Sequence, residues 1–339
     1  MTINWALMAA IVLISVNSAF ANDIYVHQVG DDLNLDVVQD GENNQVEGLN
    51  GSGDAVLSGN TKTTNLSQTG NTNQYRIWTS GNNQNITADV NGNNNTQAID
   101  NHGNDNDITL DIDGDSNITH TEIGNGGDSN NVIGVTIDGD SNNVYAEVQN
   151  GNSNNIDVQI HGQDNNIARV TVNGNSNTIK AWQGKHENGT IDNSETGDND
   201  VYWIVSGNSN NLQSYQTDDN NNGGQHIANY ITGDSNTVKH TQRGAGDHEG
   251  YIEINGDSNT VEVTQRGNTD TQFADIVLDD GHDVNVFQRY GDHTANITLN
   301  NGGGAYTLDL DQTASTNQTY TLTGTCTNSS GCGITVTQN

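Results

Sequence analysis

Along most of this 339-residue chain, apolar side chains stand at every second position in short runs. Leu33, Leu35 and Val37 keep this spacing, as do Ile108, Leu110 and Ile112, then Ile133, Val135 and Ile137. Ile156, Val158 and Ile160, Ala168, Val170 and Val172, and Ile297 with Leu299 repeat it. A period of two sends alternate side chains to opposite faces, so each run predicts a strand with one buried face. Between the runs lie clusters of Gly, Asn, Asp and Ser, which accept positive φ or bond to their own backbone and so predict turns. No helical period appears after the N-terminal segment.

The runs also recur as blocks. Gly233-Asp234-Ser235-Asn236-Thr237-Val238 returns 23 positions later as Gly256-Asp257-Ser258-Asn259-Thr260-Val261. Gln242, Gln265 and Gln288 keep the same step, and so do Arg243, Arg266 and Arg289. Upstream, Gly59, Gly70, Gly81, Gly92, Gly103 and Gly114 are spaced by 11, a half-period of one strand plus one turn. Such a unit cannot bury its apolar face alone, so neighbours must stack. A flattened parallel β-solenoid with rungs of about 22–23 residues does this, and so does an antiparallel meander or closed barrel. The 23-residue identity favours the all-β solenoid, because it sets like over like at the ~4.8 Å strand spacing. The expected rod has about 14 rungs and a length of roughly 65 Å. Insertions are expected near Gly184 to Gly197 and Asp219 to Gly224. In this arrangement Gln or Asn at equivalent positions, such as Gln242, Gln265 and Gln288, forms an amide ladder along the axis, and Arg243, Arg266 and Arg289 align on one edge.

Composition sharpens the picture. Only 30% of residues are hydrophobic and 5% aromatic, too few for a core of ordinary thickness. The chain has no proline, which keeps every backbone N–H available to strand pairing and argues against disorder. The first 21 residues carry no charged side chain, and Trp5 to Val16 is nearly all apolar before Ala19-Phe20-Ala21. This run is too short to span a bilayer and ends on a small-x-small cleavage pattern, although it lacks the usual basic start. Residues 1–21 are therefore expected to be a signal peptide, with a mature chain from Asn22 and an extracellular or cell-surface location. No second apolar run predicts a membrane span.

The strand-ending motif Gln-x-Gly-x-x-Asn occurs at Gln39 to Asn44, Gln68 to Asn73 and Gln149 to Asn154. Asp270 takes the Asn position after Gln265 and Gly267. With Val46, Tyr75 and Ile156 two residues beyond the motif, this pattern resembles the curlin repeat of bacterial curli fibre subunits. The resemblance implies a β-solenoid that polymerises end to end into extracellular fibres serving adhesion and matrix formation. Few repeats carry the full motif, the period wanders, and the acidic load is heavy for such a fibre.

The formal charge of -34, from 43 acidic and 9 basic residues, excludes nucleic acid as a natural partner. It also makes copies repel, so self-association is expected to need salt, divalent cations or mild acid. Solubility alone explains the same acidity. Calcium in the oxygen-rich turns at Asp111 to Asp115, Asp138 to Asp140 and Asp279, Asp280 and Asp283 is the sharper alternative, but no calcium-loop motif is present. Neither cofactor nor metal is otherwise expected, since the ten histidines lack paired spacing. Trp78, Trp182, Trp203, Tyr202 and Tyr215 are candidates for sugar stacking or, more commonly, for packing on a strand face. The Arg row balances surrounding carboxylates or meets anionic glycans. No catalytic constellation appears, so an enzyme is not expected. Cys326 and Cys332, the only cysteines, are expected to form a disulfide in an exported chain. The domain reading is a repeat domain over 22–325 and a C-terminal cap over 326–339.

The function expected from the sequence is a secreted structural or adhesive protein, self-associating into amyloid-like fibres for biofilm matrix or surface attachment. The alternative is a monomeric solenoid that binds glycan, Ca²⁺ or ice, or a phage fibre component. Ice binding wants regular Thr-x-Thr rows, and only Thr335 and Thr337 give one.

Overall fold

The computed structural model describes residues 22–24, 28–29, 34–47, 57–58, 60–61, 63–124, 129–160, 167–183, 199–217, 225–244, 247–267, 271–300, 304–324 and 326–339. The expected signal peptide and both expected insertions lie outside these residues.

The described chain is all-β and every strand pairing is parallel. One face is a nine-stranded sheet running from Asp23–Ile24 to Gln225–His226, continued by a three-stranded sheet at Gln272–Phe273, His293–Asn296 and Gln318–Thr321. The facing sheet has eight strands, from Asn155–Asp157 to Cys332–Gln338. Towards the N-terminus the facing side is carried by single bridges, Asn34 to Thr63, Thr63 to Asn85, Asn85 to Asp107, Asp107 to Val132 and Val132 to Asn155. The same line then continues through Thr178, Asn211, Thr237, Thr260, Asp283, Thr307 and Gly333. It crosses thirteen successive rungs, a rod of roughly 60 Å at ~4.8 Å each.

This is the expected flattened β-solenoid, and the parallel pairing rules out the meander and the barrel. Rung steps vary more than the sequence blocks suggest. They are 22 or 23 residues at many levels, 24 to 26 at others, 29 between Asn44 and Asn73, and 33 between Asn177 and Asn210, with the register kept across each.

The core is one thin layer between the two faces. Ile108, Leu110 and Ile112, Ile156, Val158 and Ile160, and Leu308 with Leu310 are all essentially sealed from solvent. Alternation makes this possible: each strand gives two or three apolar side chains, and parallel stacking places them above their counterparts. Trp203 lies wholly inside this layer, so it cannot serve as an external platform.

Candidate functional site

The chemistry of the described residues is spread along the rod. Its functional geometry is axial, made of side chains that repeat once per rung, so the ladders and the two exposed faces are the candidate site.

The glutamine row is linked from side chain to side chain throughout. Gln183, Gln216, Gln242, Gln265, Gln288, Gln312 and Gln338 each pass an amide hydrogen bond to the next, at 2.8–3.2 Å. The amide nitrogens also reach across the core, Gln242 to the carbonyls of His226 and Glu249, and Gln265 to that of Gln272. The row therefore seals one margin of the apolar layer and ties the two faces together. Arg243, Arg266 and Arg289 stand beside it in matched register, and the Arg289 guanidinium lies 4.1 Å from the centre of the Tyr290 ring.

Two asparagine ladders form the rung corners. In the first, the Oδ1 atoms of Asn22, Asn44, Asn73, Asn95 and Asn117 accept the backbone N–H of Asn44, Asn73, Asn95, Asn117 and Asn142 respectively. The second runs from Asn106 through Asn131, Asn154, Asn177, Asn210, Asn236 and Asn259 to His282. Most of these asparagines are buried and also donate from Nδ2 to a glycine carbonyl of the following rung, as Asn154 does to Gly174 and Asn177 to Gly207, whereas Asn259 donates to the Asp279 carbonyl and Asn106 to Asn101 Oδ1. One side chain thus fixes three rungs. The signal is visible in the sequence as Gly-x-x-Asn, and the turn assignment is right, but it does not by itself place the asparagine side chain inside. Gln84 takes the asparagine position in one rung, donating to the Gly103 carbonyl.

The acidic turns have a local role. Asp115 accepts the Asn93 N–H and Asp140 accepts the Asp115 N–H, each at 2.6 Å. Asp234, Asp257 and Asp280 accept in the same way from the rung before. Stacking carries a cost where carboxylates meet: burial, with Asp113, Asp138 and Asp89 close by, pushes the Asp111 carboxyl above its ordinary range. Among the described residues no group of three or more His, Cys, Asp and Glu side chains is arranged to hold a metal ion.

Four histidines that look scattered in sequence are buried in the stack. His240 donates from Nε2 to Gln265 Oε1 at 3.2 Å, while its Nδ1 has no partner. His248 and His293 bond through Nε2 to the carbonyls of Arg243 and Arg289. They alternate with Gln272, which caps the Arg266 carbonyl. His282 ends the second asparagine ladder, its Nδ1 accepting the Tyr306 N–H at 3.0 Å. Burial pushes His240 and His248 down from 6.5 to about 4 and lowers His282 as well.

Groups lowered in the folded state lose their stabilising effect as pH falls from the unfolded value near 6.5 through the folded value near 4. Acidification from about pH 7.5 to about pH 4.5 is therefore expected to cost about 2–3 kcal/mol for each of His240 and His248. Asp100, Asp107 and Asp111, all raised by burial, act with the opposite sign and are relieved on protonation. Urea midpoints of wild type and His240→Gln at the two pH values separate these effects. The variant should lose less stability in acid, and an identical loss would exclude His240 as a contributor.

The candidate aromatics divide between inside and outside. Trp203 and Tyr215 are buried, whereas Trp78 is 41% exposed and stacks on His102 at 5.4 Å. Trp182 meets Tyr215 edge-on, with Lys180 5.2 Å from its ring. Tyr202 is partly exposed on the nine-stranded face.

Cys326 and Cys332 form a disulfide across a separation of six residues. Cys332 is the first residue of the strand Cys332–Gln338, which pairs with Tyr306–Gln312 inside the eight-stranded sheet. The bond thus staples a rung of the stack. Reduction is expected to cost about 2 kcal/mol. Hydrogen exchange should show faster exchange confined to residues beyond about Gly304, and uniform acceleration along the rod would contradict this local role. No protein-family model matches the chain, and no curated protein matches it.

Proposed function

We propose that this is a secreted structural or adhesive protein that works by stacking: each copy is a preformed rod, and copies join end to end into extracellular fibres of the kind its curlin-like motifs suggest. One observation supports this reading above the others. Successive rungs recognise one another through identical residues in identical register, Gln242 on Gln265 on Gln288. A surface made this way accepts another rung whichever chain supplies it. The strand Cys332–Gln338 has a pairing partner on one side, and Ile334 and Val336 are only partly covered, whereas Leu308 and Leu310 one rung earlier are sealed.

The charge of -34 sets the condition for joining. Stacked carboxylates must be screened by salt or divalent cations, or partly protonated. Electron microscopy and sedimentation of the secreted form should show rods that lengthen as salt or Ca²⁺ rises. Ile334→Lys with Val336→Lys should block growth and leave single rods. Growth that is fastest in cation-free, low-salt buffer at neutral pH, or that is unaffected by the two lysines, would sink the proposal.

A further inference from the structure

The nine-stranded face carries a second kind of row. His120, Tyr145, Arg169, Tyr202, Tyr230 and Tyr251 occupy six successive rungs on its outer side. His120 and Tyr145 have ring centres 4.8 Å apart, and the Arg169 guanidinium lies 5.0 Å from the Tyr202 ring. Tyr202 and Tyr230 are 5.6 Å apart, Tyr230 and Tyr251 5.3 Å. The row is about 24 Å long at ~4.8 Å per rung and one side chain wide. All four tyrosines are half-buried and Arg169 is exposed. Such a run is unusual in a chain with only 5% aromatic residues.

Carboxylates border the row. The Tyr145 hydroxyl donates to Glu147 Oε2 at 2.6 Å, and the Tyr251 hydroxyl donates to Glu253 Oε2 at 2.9 Å. Glu122 lies 3.7 Å from the His120 ring. Glu253 Oε1 already accepts from Asn255 Nδ2 at 2.8 Å and retains a lone pair, while Glu122 stays partly exposed. Among the described residues no carboxylate is paired with Arg169, so its donors remain available. The surface thus offers apolar ring area down its middle, acceptors along its side and one cation near its centre.

We infer that this strip is a binding surface for an extended neutral polysaccharide lying along the rod axis. The length calls for a linear ligand with a short repeat, and the width calls for a slim one. Pyranose rings present C–H faces that pack on tyrosine, and their hydroxyls donate to carboxylates. The charge of -34 turns away polyanions such as nucleic acids and anionic lipid surfaces. A flat protein partner would need an interface several residues across, which a single column does not supply. Among the described residues the opposite face has no comparable row: register sets Trp182 and Tyr215 next to Thr241 and Thr264 there, which separate them from Phe287.

The test uses the secreted form at salt low enough to keep it as single rods, titrated calorimetrically with cellohexaose and with chitohexaose. At least one should bind. Combined Tyr145→Ala, Tyr202→Ala and Tyr251→Ala should weaken it about tenfold or more, while the three matching Tyr→Phe changes should leave it within about threefold. Tyr215→Ala, on the other face, should have no effect. Unchanged β circular dichroism certifies that each variant is folded; should the triple alanine variant unfold, the single change Tyr202→Ala replaces it. The inference is overturned if neither hexasaccharide binds, if the alanine variants bind as wild type does, or if Tyr215→Ala weakens binding equally.

Discussion

Asn177→Ala is expected to remove about 2–6 kcal/mol from the stability of the rod, an effect large enough at its upper end to unfold the middle rungs at moderate temperature. Asn177 donates from its backbone and from Nδ2 to Asn154 Oδ1 at 2.9 and 3.1 Å, and from Nδ2 to the Gly207 carbonyl at 2.7 Å. Its own Oδ1 accepts the N–H and the Nδ2 of Asn210. All these groups are out of reach of water. Truncation leaves the Asn210 N–H and an acceptor on Gly207 without partners, and each buried orphan costs about 1–3 kcal/mol. Asn175 supplies the control, since it makes the same kind of inter-rung bonds on the exposed turn. Asn175→Ala should cost about 0.5–1 kcal/mol because water replaces the lost amide. Chemical denaturation of the two variants checks the contrast, and equal losses would refute the burial account.

Gly207→Ala is expected to be at least as damaging, for a steric reason. A Cβ at Gly207 would sit 1.9 Å from the Gly233 carbonyl oxygen, and one at Gly174 would sit 1.7 Å from that of Gly207. The obstacle is backbone and cannot rotate away. Relief requires two rungs to separate, which breaks the strand ladder and the Asn bond to the same glycine. A loss of about 4 kcal/mol or more, or failure to accumulate folded protein, is the expected outcome. Gly333→Ala should change stability by less than about 0.5 kcal/mol, because a Cβ there meets nothing within 4 Å. Thermal melts of both variants decide the matter. A mild effect at Gly207 would mean that the rungs can part more easily than their geometry implies.

The strands and their parallel stacking were legible in the sequence because both are periodic. Alternation at Ile156, Val158 and Ile160 marks the buried face, and the 23-residue recurrence of Gln242, Gln265 and Gln288 marks the stacking direction. The buried asparagines were not legible in the same way. Asn154 and Asn177 sit in Gly- and Asn-rich turns, where local chemistry already accounts for their presence, and nothing local distinguishes a side chain facing inward. The histidines failed for a related reason: His282 follows Asn259 by the same 23 residues and inherits its ladder position, but a different side chain hides the equivalence. The tyrosine row on the outer face was least visible. It depends on which positions share a column, and steps of 33 and 26 residues around Tyr202 and Tyr230 remove the regular spacing that would have exposed it.

The corner ladders also give the rod a sense of direction. Along the buried asparagines, the oxygen of each rung accepts from the rung after it, as Asn154 does from Asn177. Along the exposed turns the order reverses, Asn152 donating its N–H forward to Asn175. Those rows stop at His282 and Asp280, but the glutamine row keeps a direction as far as the last strand, each Nε2 donating to the Oε1 of the next rung up to Gln338, so the two ends of a rod are chemically distinct. Two rods meeting at their Gln338 ends would set amide donor against amide donor, and their parallel strands would meet antiparallel. Head-to-tail joining avoids both conflicts, so a fibre of this protein would be polar, with every molecule pointing the same way and two ends growing at different rates.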